Sequence, residues 1–235
     1  MRSISRIKRA PKALFAKLLF VAMVAVALAL PKAQPNLKAI FTHTKPEHVL
    51  SEKRISLENR YPGVPSVNTV FKDNMLLNLA YMDGSVRTTK DIDWTKLQKP
   101  GTYSVTLDPG QTFAFHDGTL AGYTGINKTT NAHFNSTEGF KSDGYLVGDG
   151  VCHLASIMYW TAKDAGLDAY APVRHDFHLI PEIPREYGVA IFYLPNEQAT
   201  SNMQNLYIKN NKQKAVTFAF TYDGTNLSVK VIEQS

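Results

Sequence analysis

The spacing of apolar positions changes several times along the chain, and each change predicts an element. Residues 18–30 run without a single polar side chain. Further on, Val67, Val70, Met75, Leu76, Leu79 and Ala80 recur at partly helical spacing, which predicts a helix over 70–82 ended by Asp83-Gly84. After the turn signal Pro100-Gly101, Tyr103, Val105 and Leu107 alternate as a half-buried strand does, and Pro109-Gly110 repeats the signal before a strand over 112–115. Residues 118–150 are rich in Gly, Asn, Thr and Ser and weakly periodic, so they read as loops with short strands, the kind of segment that rims a site. Leu154, Ile157, Met158 and Ala165, flanked by Trp160 and Ala162, fit a helix over 151–165 with Asp149 as its cap and Gly166 just past its end. The C-terminal third holds short β-rich runs at 188–194, 205–209, 215–222 and 227–232, the last two joined as a hairpin by Asp223-Gly224. The expected fold is α+β: one or two helices packed on a mainly antiparallel β-sheet, in a single domain. Phe113, Phe115, Tyr159 and Trp160 are expected in its core.

The first apolar run does not belong to that domain. Arg2, Arg6, Lys8, Arg9, Lys12 and Lys17 precede it with no acid among them, and Ala27-Leu28-Ala29 offers a small-x-small cleavage site. A run of this length suits the core of a signal peptide and falls short of the roughly 20 residues that cross a bilayer comfortably. Residues 1–30 therefore read as a signal peptide or an N-terminal membrane anchor. Residues 31–65 read as a proline-punctuated linker and N-terminal extension with a short strand near 38–42, and residues 66–235 as the domain. The expected location is extracytoplasmic, at the cell envelope, either secreted or held to the membrane by an uncleaved N-terminus.

The leader also changes the meaning of the charge. Six of the 26 basic residues lie in it, which leaves 20 against 20 acids. The net charge of +6 thus reports targeting and gives no support to nucleic-acid binding. The single cysteine excludes an internal disulfide, so in an exported protein the thiol is either buried or in use.

That cysteine sits in Gly148-Asp149-Gly150-Val151-Cys152-His153-Leu154-Ala155-Ser156, where a glycine-rich turn enters the second predicted helix. A thiol at a helix N-terminus feels the positive end of the macrodipole, which favours thiolate. Downstream, Arg174-His175-Asp176-Phe177-His178 supplies two imidazoles, of which His178 is the preferred general base and His175 the competitor. Gly148, Asp149, Gly150 and Arg174 are the candidate substrate contacts, the glycines because they permit close backbone approach. His153, adjacent to Cys152, points elsewhere on a helix. Asp149, Asp176 and Glu182 either orient a histidine or are solvated acids. Cys152 has a second reading as a small apolar residue packed under the turn. Cys152, His153, His175 and His178 form a soft donor set only in composition, since the Cys-His adjacency is unlike zinc-ligand spacing. No metal and no cofactor are expected.

With these segments in place, the chain resembles the VanW-like family of bacterial envelope proteins. Asn74-Met-Leu-Leu-Asn-Leu-Ala is similar to the family's early Asn-initiated helix, and Leu107-Asp-Pro-Gly-Gln-Thr-Phe-Ala-Phe to its Pro-Gly-Glu-Thr-Phe-Ser-Phe strand. Gly148-Asp-Gly-Val-Cys-His-Leu-Ala-Ser resembles its Gly-Gly-Gly-Val-Cys-Gln-Val-Ser-Ser. Ala165-Gly-Leu followed by Arg174-His-Asp-Phe-His parallels its Ala-Gly-Leu and Arg-x-x-His segments, and Asn205-Leu-Tyr-Ile-Lys-Asn its Asp-Leu-x-Phe-x-Asn. Three departures stand out: Asp149 replaces a glycine, His153 replaces a glutamine, and Gly188 stands where the family carries Asp. The Cys152 segment alone is also similar to the cysteine helix of transglutaminase-like and papain-type folds.

The resemblance implies an exported, envelope-associated protein and does not supply a reaction. Two functions are then open. One is a Cys-dependent acyl-transfer enzyme, amidase- or peptidase-like, acting on peptidoglycan or peptide bonds, with Cys152 as nucleophile, His178 as base and the helix-start amides holding the oxyanion. The other is a non-catalytic cell-wall-binding or scaffolding module with a structural cysteine. Peptidoglycan is the expected partner in both.

Overall fold

A computed structural model describes residues 47–144 and 148–235. The leader, most of the linker and the short strand expected near 38–42 lie outside the described residues. Among the described residues, no helix is long and apolar enough to cross a membrane.

Two four-stranded sheets carry the fold, which is α+β as expected. The larger sheet comprises β1 (His48–Ser56), β2 (Gly101–Leu107), β7 (Val216–Tyr222) and β8 (Asn226–Glu233) in the order β1-β8-β7-β2, antiparallel throughout. Strict alternation makes it a sheet with one buried face: Val216, Phe218, Phe220 and Tyr222 on β7 and Leu227, Val229 and Val231 on β8 are all buried. The β7–β8 turn forms where Asp223-Gly224 predicts it. Asp223 Oδ1 accepts the amides of Thr225 (2.9 Å) and Asn226 (2.7 Å), and Gly224 takes the left-handed φ of 105°.

The smaller sheet comprises β3 (Thr112–Ala114), β4 (Ile126–Lys128), β5 (Asp168–Tyr170) and β6 (Tyr207–Lys209) in the order β4-β3-β6-β5, with only the β3–β4 pair parallel.

Two long helices fill the core. In α1 (Pro65–Met82) every residue from Asp73 to Met82 is buried. A helix covered on all sides shows no clean apolar stripe, which is why its periodicity is only partial in the sequence. It begins earlier than the spacing predicts, with Pro65 in the first turn. α3 (Val151–Asp164) packs on α1, β1, β5 and β8. Its end closes as the sequence predicts: Gly166 has φ 69°, Gly166 N–H donates to Lys163 O, and Leu167 N–H donates to Ala162 O, each at 3.0 Å. Two short helices, α2 (Trp94–Leu97) and α4 (Gln198–Met203), link the sheets' strands.

Three expectations need correction. Residues 48–56, read as part of a linker, are β1 and pair with β8 along their length. Only Ile55 of that strand is buried, and an edge strand studded with Glu52, Lys53 and Arg54 lacks the apolar alternation that would reveal it. The cap of α3 is Gly150 rather than Asp149, whose side chain turns to the Asp143 amide (3.2 Å). Residues 188–194 form no strand. Their amides go to mixed partners: Val189 to Ser156 Oγ (2.9 Å), Ala190 to Val173 O (3.0 Å) and Phe192 to Gln204 O (3.0 Å). Phe113 and Phe115 are buried as expected, whereas Tyr159 and Trp160 are half-buried on the outer side of α3.

Candidate functional site

The turn that delivers Cys152 is fixed by contact and by a buried amide. Gly148 (φ 84°) and Gly150 (φ 97°) both lie in the left-handed region. A Cβ on Gly148 would come 2.7 Å from Phe134 O, and one on Gly150 would come 2.6 Å from Phe71 O, so the turn presses directly on a loop and on α1. Asn74, fully buried in α1, holds both ends of the 141–149 segment. Its Nδ2 donates to Lys141 O (3.0 Å) and Asp149 O (2.8 Å), while its Oδ1 accepts the Lys141 amide (2.8 Å). Beside it the buried Asp73 pairs with Lys141 Nζ at 2.5 Å.

This turn floors a cleft of about 400 Å³. Its lining includes the aromatic rings of Phe71 from α1, Tyr61 from the segment before it and Phe134 from the loops, together with His175, Phe177, His178 and the extended segment Ile191–Tyr193. The loop region expected to rim a site does so, contributing His133, Phe134, Asn135 and Asp143.

Cys152 is partly buried at the cleft floor. Its Sγ accepts the Ile191 amide (3.4 Å) and donates to Ile191 O (3.6 Å). Burial pushes the thiol up to about 11, and the nearby Asp149 carboxylate adds to the rise. The thiolate expected from the helix terminus is therefore not favoured: desolvation outweighs the dipole and the Ile191 amide together. No hydrogen bond joins Cys152 to an imidazole among the described residues.

Both candidate bases line the cleft. His178 is exposed, and its ring stacks on Tyr61 with centroids 5.2 Å apart. His175 is buried, with Nδ1 donating to His178 O at 3.0 Å, and burial lowers its pKa. Arg174 lies outside the lining, exposed, 3.7 Å from Asp176. Asp176 also faces Arg185 (3.5 Å), and Glu182 binds Arg60 (3.2 Å) and the Ser56 amide (2.7 Å), so neither acid orients a histidine. Gly188 accepts the His175 amide at 3.2 Å through its carbonyl, and a Cβ there would come 3.2 Å from His175 O and 3.3 Å from Arg185 O, so a side chain would crowd the backbone that carries His175.

Sequence reasoning set His153 aside, yet it lines the same cleft. It is 3% exposed, edge-on to Phe71 at 5.1 Å and 6.0 Å from the His175 ring, and its Nδ1 is buried without a hydrogen-bond partner. Burial, with the positive charge of Arg60 behind it, holds the imidazole neutral. His133, also missed, packs against Tyr193 with ring centroids 4.1 Å apart and planes tilted by 32°, between Asp117 (3.3 Å) and Glu138 (3.2 Å). Asp149 is half-buried, and burial, aided by the like charge of the neighbouring Asp143 and opposed by the Asp143 amide, raises its carboxyl to about 6. Among the described residues, no three His, Cys, Asp or Glu side chains converge as a metal site.

A family model described as "VanW like protein" matches residues 102–232, from β2 to β8, and so includes Cys152 and the His153, His175 and His178 imidazoles. No curated protein and no solved structure matches the chain.

Proposed function

The chain belongs to the VanW-like family, and from that premise we propose that it is an exported protein of the bacterial cell envelope whose cleft binds peptidoglycan without cutting it. The observation that carries this reading is the burial of Cys152 Sγ against the Ile191 backbone: desolvation keeps the thiol protonated, and its hydrogen bonds go to Ile191 rather than to an imidazole. A cleft of this size with aromatic walls and a few polar groups is suited to holding a ligand. The flat rings of Tyr61, Phe177 and Tyr193 at its edges would stack on sugar or peptide faces. Export rests on the basic, apolar leader, and membrane attachment follows if that leader is retained.

The test is co-sedimentation of the full-length protein with purified peptidoglycan sacculi. Binding is expected for the wild type and for Cys152→Ala, and its loss is expected for Tyr61→Ala combined with Phe177→Ala. Failure of the folded wild type to sediment would overturn the reading.

Acyl transfer is the second reading, favoured by one observation: Cys152 stands in the first turn of a 14-residue helix and shares its cleft with His175 and His178. For it to hold, a bound ligand must release Sγ from Ile191 and bring an imidazole to it. The imidazole would take the Sγ proton as sulfur attacks the carbonyl carbon and pass it to the departing amine, leaving a thioester that water opens to a carboxylic acid and the free thiol. Release of peptides from sacculi by the wild type and not by Cys152→Ala would establish it.

A further inference from the structure

The two edges of the larger sheet are protected very differently. On β1 the edge carries Glu52, Lys53 and Arg54, and its register breaks between Val49 and Ser51. Charges and bulges of this kind keep an edge from pairing with another chain. β2, at the other edge, has neither. Its residues Gly101–Leu107 include no charged side chain and no proline, and they pair with β7 without a break. Among the described residues, no hydrogen bond beyond that pairing reaches the backbone of residues 102–106. A cleft of about 220 Å³ beside Gly101, Thr102 and Tyr103 leaves one end of the edge open. In the smaller sheet the edge strands β4 and β5 are only three residues long, which is itself a protection.

What fits the β2 edge is a second β2 edge. About a two-fold axis through Ser104, two such strands run antiparallel with Thr102 opposite Thr106 and Tyr103 opposite Val105. Threonine pairs and aromatic–β-branched pairs are both favourable across strands. Thr102, Ser104 and Thr106 are exposed on one face, whereas Tyr103 on the other is only half-buried and would gain cover from the second strand. The ends match in charge as well. Lys99 and Asp108 flank β2, are exposed and have no ion-pair partner among the described residues. The rotation sets Lys99 of each copy beside Asp108 of the other, so opposite charges meet at both ends.

The geometry points to a homodimer formed by antiparallel β2–β2 pairing, which joins two four-stranded sheets into one continuous sheet. This goes beyond the wall-binding reading and does not depend on it, since the cleft around Cys152 shares no lining residue with the β2 edge. A dimer carries two such clefts and would hold a polymer at two points.

Sedimentation equilibrium of the full-length protein, in a density-matched non-ionic detergent that keeps the apolar leader soluble, tests the pairing. The wild type should sediment at twice the chain mass. Ser104→Lys sets like charges across the axis from an exposed position. It should raise the dissociation constant about tenfold or more while thermal unfolding stays unchanged. Lys99→Glu should weaken the dimer, and adding Asp108→Lys should restore it. In a Cys152→Ala background, mild oxidation should link Ser104→Cys chains, whose Cβ atoms would lie about 4.5–5.5 Å apart, and leave Glu52→Cys chains unlinked. A wild type that stays monomeric, or a dimer that neither Ser104→Lys nor Lys99→Glu weakens, overturns the proposal.

Discussion

The Sγ of Cys152 lies 3.4 Å from the amide nitrogen of Ile191 and accepts its hydrogen, so the thiol is tied to the backbone of the opposite wall. Its pKa of about 11 follows from that sheltered position. At pH 7 the folded protein should react with iodoacetamide about 100-fold more slowly than the unfolded chain, two pKa units being two decades of thiolate. The rate should climb until about pH 11, and His178→Ala should leave the profile unmoved. An apparent pKa below that of an ordinary thiol, lost in His178→Ala, would instead restore the catalytic pair.

The same shift makes stability depend on alkaline pH. The folded pKa is raised above the unfolded value of 9.0, so the contribution is fully present below pH 9 and lost as pH rises through about 11. Denaturation of the wild type and Cys152→Ala at a series of pH values should show the wild type losing about 2 kcal/mol more over that window. Parallel curves would mean that the thiol titrates alike in both states.

Asp149 behaves in the same sense at acid pH. Its carboxyl is raised from 3.8 to about 6, so the protonated form stabilises the fold below the unfolded value and the benefit is lost as pH rises through 6. Asp149→Asn should match the wild type near pH 4 and exceed it at pH 8 by about 1 kcal/mol, less than the full shift implies because the group is partly in solvent. A variant less stable than the wild type at pH 8 would contradict this.

Asn74→Ala removes a buried carboxamide that makes three hydrogen bonds to the backbone of Lys141 and Asp149. The loss should be about 2–4 kcal/mol in urea unfolding. Labelling of Cys152 should also speed up, because the turn that seats it loses its anchor. A stable variant with unchanged labelling would show that the glycine contacts suffice to hold the turn.

Gly150→Ala combines a left-handed φ with a 2.6 Å approach to Phe71 O, so strain and collision act together. A destabilisation of about 2–4 kcal/mol is expected. A thermal shift within error of the wild type would mean that the turn has room the geometry does not suggest.

Where local rules decide the structure, the sequence reads well. The end of α3 at Gly166, the Asp223-Gly224 hairpin and the alternation of β2 each depend on neighbours within a few residues. β1 escaped because it is an edge strand whose charged face hides its period. Residues 188–194 are an apolar run like that of a buried strand, but their partners are a loop and two side chains of α3, which no period encodes. At the site, the cleft-lining positions of Cys152, His175 and His178 were legible, and the state of the thiol was not. The helix dipole is visible in a sequence, whereas the desolvation that opposes it belongs to the packed fold. His153 was missed for a related reason: neighbours on a helix diverge, but a cleft wide enough to span that divergence receives both.

The order of the larger sheet has a consequence for how the chain reaches its folded state. Among the described residues, β1, the first strand, pairs only with β8, the last, with His48 opposite Glu233. The N-terminal strand therefore has no place to go until the final residues are available, and its pairing closes the longest loop the fold contains. Assembly is gated by this last strand: removing Asn226–Glu233 would leave β1 without its partner and β7 with β2 alone, so the sheet should fall from four strands to a single hairpin-like pair.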